Sequence, residues 1–155
     1  LPADSPFHTR FLAPWTKELE EASHGRFRFQ LLPAASIDAA GLLEQVKQGG
    51  VDIGYVVFVP SGRFPEFEQF AVPANAKDPG RALWDYVRAK DLAKKEFDGF
   101  RIIAVGVPGK GSFSVLVMNP AAFKALPDDL KQAINAASGA DSSARLGQAH
   151  DEAGK

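Results

Sequence analysis

Apolar residues recur along this chain with two distinct periods. Phe7, Phe11, Leu12, Trp15, Leu19 and Ala22 fall at helical spacing, while Lys17, Glu18, Glu20 and Glu21 occupy the opposite face. Ser5-Pro6 supplies a hydroxyl cap and a first-turn proline, and Gly25 a left-handed stop. Pro14 lies inside the pattern, where its missing N–H predicts a kink or a loosened first turn. From Arg26 to Leu32 the period shortens. Phe27, Phe29 and Leu31 alternate with Arg26, Arg28 and Gln30, which predicts a half-buried strand ended by Pro33.

A second helix is predicted from near Ser36 or Asp38 through Leu42, Leu43 and Val46 to the stop at Gly49-Gly50. Val51 to Val59 is β-branched and aromatic on both faces, as expected of a strand covered on two sides. Pro60-Ser61-Gly62 ends it, and the loop from Arg63 to Asp78 is long for a small domain, a length more often functional than connective. Asp78-Pro79 caps a helix carrying Leu83, Trp84, Val87 and Leu92. Strands are predicted over Phe100 to Val107 and Phe113 to Met118, with Pro108-Gly109-Lys110-Gly111-Ser112 as a hairpin between them. Asn119-Pro120 and Leu126-Pro127 start two helical segments. From Gly139 the chain is Ala/Ser/Gly-rich, which predicts a weakly packed helix or a frayed end.

Helices alternating with strands predict an α/β fold: an open, mostly parallel sheet with helices on both faces and one antiparallel strand contributed by the hairpin. A sheet of this kind normally opens with a strand, whereas the first periodic segment here is already a helix.

The chain's 155 residues suffice for one domain with one core. A hydrophobic share of 45% with 24% charged residues argues against disorder. A net charge of −1 gives no global attraction to nucleic acid or an anionic membrane. Cysteine is absent, which removes disulfides, thiolate metal sites and cysteine nucleophiles. The opening at Leu1, without a basic region ahead of an apolar stretch, reads as a processed or trimmed chain.

Little catalytic chemistry is visible. Gly106 to Ser112 has a superficial likeness to a phosphate-binding loop, but Gly111 separates Lys110 from Ser112 and a strand follows where a helix is required. The segment reads as a turn. His8, His24 and His150 have no partner at metal-ligand spacing, and no serine sits in a G-x-S-x-G elbow. The expectation is therefore no enzyme, no metal and no cofactor. Ligands of open α/β sheets sit beyond the carboxyl ends of the strands, which here places Phe58 to Arg63 at a binding position. Two readings stand side by side. Apolar rings line a pocket and Arg63 pairs with a carboxylate, or Tyr55 and Phe58 are core and Arg63 stabilises its loop through backbone carbonyls.

Several segments together resemble the solute-binding proteins of tripartite ATP-independent periplasmic (TRAP) transporters. They are Ser5-Pro6-Phe7-His8 through Pro14-Trp15 to Glu20-Glu21-Ala22-Ser23, then Gly25-Arg26-Phe27-Arg28-Phe29, and then Leu43 to Gly49 with Val51-Asp52-Ile53-Gly54. Gly62-Arg63-Phe64-Pro65 and Val117-Met118-Asn119-Pro120 through Leu130 complete the set, in order over nearly the whole chain.

The resemblance implies a clamshell of two α/β lobes, a type II periplasmic-binding-protein-like fold, closing on a small organic acid for a membrane permease. It implies about twice this length. Against that pattern the chain passes from the last strand of the first lobe to the strand returning from the second, so residues 1–155 read as a single lobe with the turn at 108–112 in place of the second. The resemblance also implies an initial strand ahead of Leu1, outside this sequence, and a carboxylate-clamping arginine that belongs to the second lobe. The implied protein is periplasmic. Phe7, Tyr55, Phe58 and Arg63 are the expected remnants of the ligand wall. With half of the enclosure gone, solute affinity is expected to be millimolar or weaker. The exposed inter-lobe face predicts a homo-oligomer, and a ligand-free, engineered or reduced folding unit is the alternative reading.

Overall fold

The computed structural model describes residues 7–30, 39–108 and 111–153. The caps at Ser5-Pro6 and Ser36 or Asp38, the strand end at Leu31 to Pro33, and the turn tip at Gly109-Lys110 lie outside the described residues.

The first helix begins with a π-helical turn, His8–Leu12, and continues as α1, Ala13–Ala22. Proline cannot donate to the residue four back and its ring crowds that carbonyl. The wider turn ahead of Pro14, in which the Ala13 N–H reaches the His8 carbonyl, is the local response. Phe11, Trp15 and Leu19 form its buried stripe. The Trp15 indole N–H donates to the Ala137 carbonyl at 2.8 Å, anchoring this helix to the far end of the sequence.

The segment after Gly25 keeps its alternating exposure, with Phe27 and Phe29 half-buried between exposed Arg26, Arg28 and Gln30. It is not a strand, however. A ladder needs a partner, and none of the described strands pairs with it. The two phenylalanines pack by their rings instead, Phe29 lying 5.8 Å from Trp15 between centroids.

The next elements are α2 (Ala39–Gln48), β1 (Ile53–Phe58), a short 3-10 turn (Phe67–Gln69), α3 (Pro79–Ala89) and α4 (Leu92–Lys95). They are followed by β2 (Arg101–Gly106), β3 (Phe113–Met118), α5 (Pro120–Lys124), α6 (Asp128–Ala136) and α7 (Ala140–Ala153). Among the described residues the sheet has three strands in the order β1-β3-β2. β3 is antiparallel to both neighbours, so β1 and β2 run the same way with the returning strand between them. The expected pair of like-directed strands and one antiparallel strand is present, but every ladder is antiparallel.

β3 takes the central place because Phe113–Met118 is buried at every position. β1, expected to be covered on both sides, lies at an edge of the described sheet, with Val57 46% exposed and Val59, just past its end, 66% exposed. In β2 a bulge between Ile102 and Ala104 breaks the alternation. It turns Ile103 and Ala104 to one face and leaves Ile102 and Val105 on the other.

Each face has its own core. One joins Leu43 and Val46 of α2, Leu83 and Val87 of α3, Leu92 of α4, and Phe64, Phe67 and Phe97 of the loops. The other joins Phe7, Phe11, Trp15 and Leu19 to Ile134 of α6 and Leu146 and Ala149 of α7. Helices therefore cover both faces. The C-terminal segment, expected to be loose, is instead tightly packed: Ser142, Ser143, Ala144, Leu146 and Ala149 are all buried. Its small residues let the α7 backbone close over the outer edge of β2. The Val105 N–H donates to Ser143 Oγ at 3.1 Å, and the Ile103 carbonyl accepts from the Gly139 N–H at 2.8 Å.

Candidate functional site

The long loop after β1 is held by two glutamates. Glu68 folds its carboxylate back under Gly62 and Phe64, accepting their N–H groups at 3.1 and 3.0 Å, and also accepts from the Ser61 N–H. Glu96 reaches from beyond α4 to accept the N–H groups of Glu66 and Phe67, each at 2.8 Å. The Tyr86 hydroxyl donates to the Glu66 carbonyl at 2.6 Å. Neither glutamate stands out in the sequence, because each reaches peptide groups that only the folded loop presents. Acidic residues interleaved with Phe64, Phe67 and Phe70 are the one local signal for Glu68, and Glu96 has none.

This scaffold forms an open cleft of about 480 Å³ at the carboxyl end of β1, lined among others by Leu43, Phe58, Ser61, Arg63 and Phe64. The Phe58 ring lies 5.7 Å from Phe64, 5.8 Å from Phe67 and 6.1 Å from Phe113 between centroids. It is at once core and cleft floor. The Arg63 guanidinium sits 5.5 Å above the Phe64 ring, with Nη2 4.0 Å from Glu44 Oε1. That ion pair is long and half-exposed, so it constrains Arg63 little and leaves the guanidinium able to exchange Glu44 for another carboxylate. Of the two readings of Arg63, anchorage to backbone carbonyls has no counterpart among the described contacts.

The four expected wall residues do not share one surface. Side chains alternate across a strand, so Tyr55 and Phe58 of β1 point to opposite faces. Tyr55 stacks on Phe7 with centroids 3.8 Å apart and planes 20° apart, and Phe7 is only 7% exposed. Burial pushes the Tyr55 hydroxyl well above its ordinary value, and the hydroxyl of Ser114 on β3 pulls it back in part. Phe7 and Tyr55 thus belong to the α1 face, and Phe58 and Arg63 to the cleft. The structure brings the residues together in pairs, on two sides of the sheet.

Among the described residues no group of three histidines or acids is placed to hold a metal ion, and no helix is long and apolar enough to cross a membrane.

The sequence profile of the bacterial extracellular solute-binding protein family 7 matches residues 1–115. The chain belongs to this family, the TRAP-type solute-binding proteins. Among curated protein sequences none matches it. Solved structures share its fold. A TRAP solute-binding protein from Rhodoferax ferrireducens, in complex with copurified benzoate, superposes with a TM-score of 0.82 at 20% identity, covering 99% of this chain and 76% of that one. A TRAP periplasmic protein from Bordetella bronchiseptica with bound (R)- and (S)-mandelate gives 0.78 at 17% identity over 99% and 77%. A marine metagenome protein specific for aromatic acid ligands, with 3-hydroxybenzoate, gives 0.83 at 19% identity over 98% and 76%. The family is one of transport binding proteins rather than enzymes.

Proposed function

We propose that this family 7 protein is a single binding lobe. Its cleft at Phe58 and Arg63 is one wall for a small organic acid destined for a membrane permease, in the periplasm where its relatives work. The observation that carries the reading is the pairing of β2 with β3. Gly106 lies opposite Ser114, so β2 and β3 are direct antiparallel neighbours, at the point where the resemblance implies that a two-lobed family member departs for its second lobe. The profile match ends at residue 115, just past that point.

A clamshell gains affinity by enclosure: two walls bury the ligand and exclude water. One open wall leaves most of a bound acid in solvent, and the cost of immobilising it is then poorly offset. Arg63 supplies the charge for a carboxylate, and Phe58 and Phe64 supply apolar faces suited to an aromatic or branched body. Mandelate and benzoate, found in the relatives, are therefore the natural probes. Isothermal titration of the protein with both should give affinities of about 1 mM or weaker. Micromolar binding that Arg63→Gln abolishes would overturn the single-wall reading, and complete absence of heat would favour a ligand-free folding unit.

Self-association is the other expected consequence. β1 has no strand partner on its outer side among the described residues, and Val57 and Val59 are exposed beside the cleft. Light scattering across a dilution series should show a dimer or larger species. A constant monomer mass would count against it.

A further inference from the structure

A second cleft, of about 710 Å³, opens at the other end of the sheet between α3, the start of β2, α5 and the end of α6. Arg101 pairs with Met118 at this end, whereas Phe58 pairs with Phe113 at the other. The length of β3, about 17 Å, separates the two clefts.

Arg101 organises this cleft. Its guanidinium carbon stands 3.7 Å above the centre of the Phe123 ring, and Nη2 donates to Asn135 Oδ1. Stacking fixes the plane and the amide fixes the rotation, so the remaining donors have set directions. Nε is buried and has no hydrogen-bond partner among the described residues. No carboxylate of the described residues lies within ion-pair distance of this cation either, whereas Arg26, Arg63, Arg81 and Arg145 each have one. Burial draws the Arg101 pKa downward without neutralising the group. A half-buried cation lacking a counter-charge is an unfavourable arrangement that an anion would relieve. Arg88 and Lys124 add positive charge to the lining, against Asp91 alone, while Trp84 and Phe100 provide apolar wall.

We infer that this cleft is a second ligand site, taking a small carboxylate with an aromatic or similarly apolar body. The carboxylate meets the Arg101 guanidinium with Lys124 nearby, and the body lies against Trp84 and Phe100. The site does not depend on the single-lobe reading, because it is built wholly from residues at the opposite end of the sheet.

The test is a benzoate titration followed by two-dimensional NMR, including the arginine Nε–H resonances, with neutral benzamide as the control. Saturable shifts at the Arg101 Nε–H and the Asn135 side-chain amide are expected with benzoate and not with benzamide. Arg101→Met should weaken them about tenfold or more, and Lys124→Gln about two- to threefold. If Arg101→Met does not fold, the exposed pair Arg88→Gln and Lys124→Gln decides, and weaker binding is the expected result. Shifts that benzamide reproduces, that the substitutions leave unchanged, or that are confined to Ser61, Arg63 and Phe64 would overturn the inference. The last pattern would leave the Phe58 cleft standing, so the two sites fail separately.

Discussion

Gly80, in the first turn of α3, lies so close to α7 that a Cβ built on it would stand 2.2 Å from the carbonyl oxygen of Ser143. The hydroxyl of the same Ser143 holds the edge of β2. One residue of α7 is therefore wedged between a helix on one face and a strand of the sheet, and no side chain fits at position 80. Gly147 continues the contact, its own Cβ position lying 3.7 Å from the Gly80 nitrogen.

Gly80→Ala should destabilise the protein although alanine is the better helix former. Relieving the overlap requires moving the backbone of α7, which costs about 1–3 kcal/mol, more than the helix propensity of about 1 kcal/mol that alanine returns. Urea unfolding would show the lowered midpoint. Gly111→Ala separates backbone conformation from packing: φ there is +78° with open space around it, and the loss should be about 1 kcal/mol.

Phe97 is fully buried and stacks on Phe64 with centroids 4.3 Å apart, edge-on to Phe67 at 5.2 Å. Phe97→Ala opens a cavity beneath the loop that carries Arg63, and should cost about 3–5 kcal/mol. Thermal unfolding followed by circular dichroism checks it. An effect under about 1 kcal/mol would mean that the aromatic cluster is not the support of this cleft.

Glu68→Ala strips the loop of the acceptor shared by Ser61, Gly62 and Phe64. The exposed peptide groups turn to water, so the global cost should be modest, about 1–2 kcal/mol. The local signature should be larger. Amide exchange at Gly62 and Phe64 should accelerate beyond the change seen at Val115 and Val117 in the centre of the sheet.

Tyr55 predicts a loss of stability in alkali. Its hydroxyl ionises at the ordinary value of 10.0 in the unfolded chain but higher when folded, because burial disfavours the phenolate. Below pH 10 both states hold the proton and stability is unaffected. Above it only the unfolded state releases the proton, so stability falls by up to about 1.4 kcal/mol per pH unit until the folded value is reached. Denaturation at pH 9 and pH 11 should show a smaller loss in Tyr55→Phe than in the parent. Equal losses would place the alkaline sensitivity elsewhere, with the Tyr86 hydroxyl as the first alternative.

Where a residue's role follows from its immediate neighbours, it was readable in the sequence. The Phe11, Trp15 and Leu19 stripe, the stop at Gly49, the cap at Asp78 and the helix start at Asn119-Pro120 all stand as expected. The family resemblance was legible for a related reason, since it lies in short ordered motifs. Roles requiring a distant partner were not legible. Phe27 and Phe29 have a strand's alternation, yet pairing is a property of two segments, and Trp15 rather than another strand receives them.

Sequence alone thus determined most of the helical stripes, the turns that break them and the family to which they belong, because spacing, caps and glycines act over a few residues. Tertiary structure decided that β3 lies between β1 and β2, that β1 sends Tyr55 and Phe58 to opposite faces, and that a polar, small-residue tail becomes a buried helix. Those outcomes depend on how closely backbones approach and which edge each strand finds, and neither is set until the chain closes on itself.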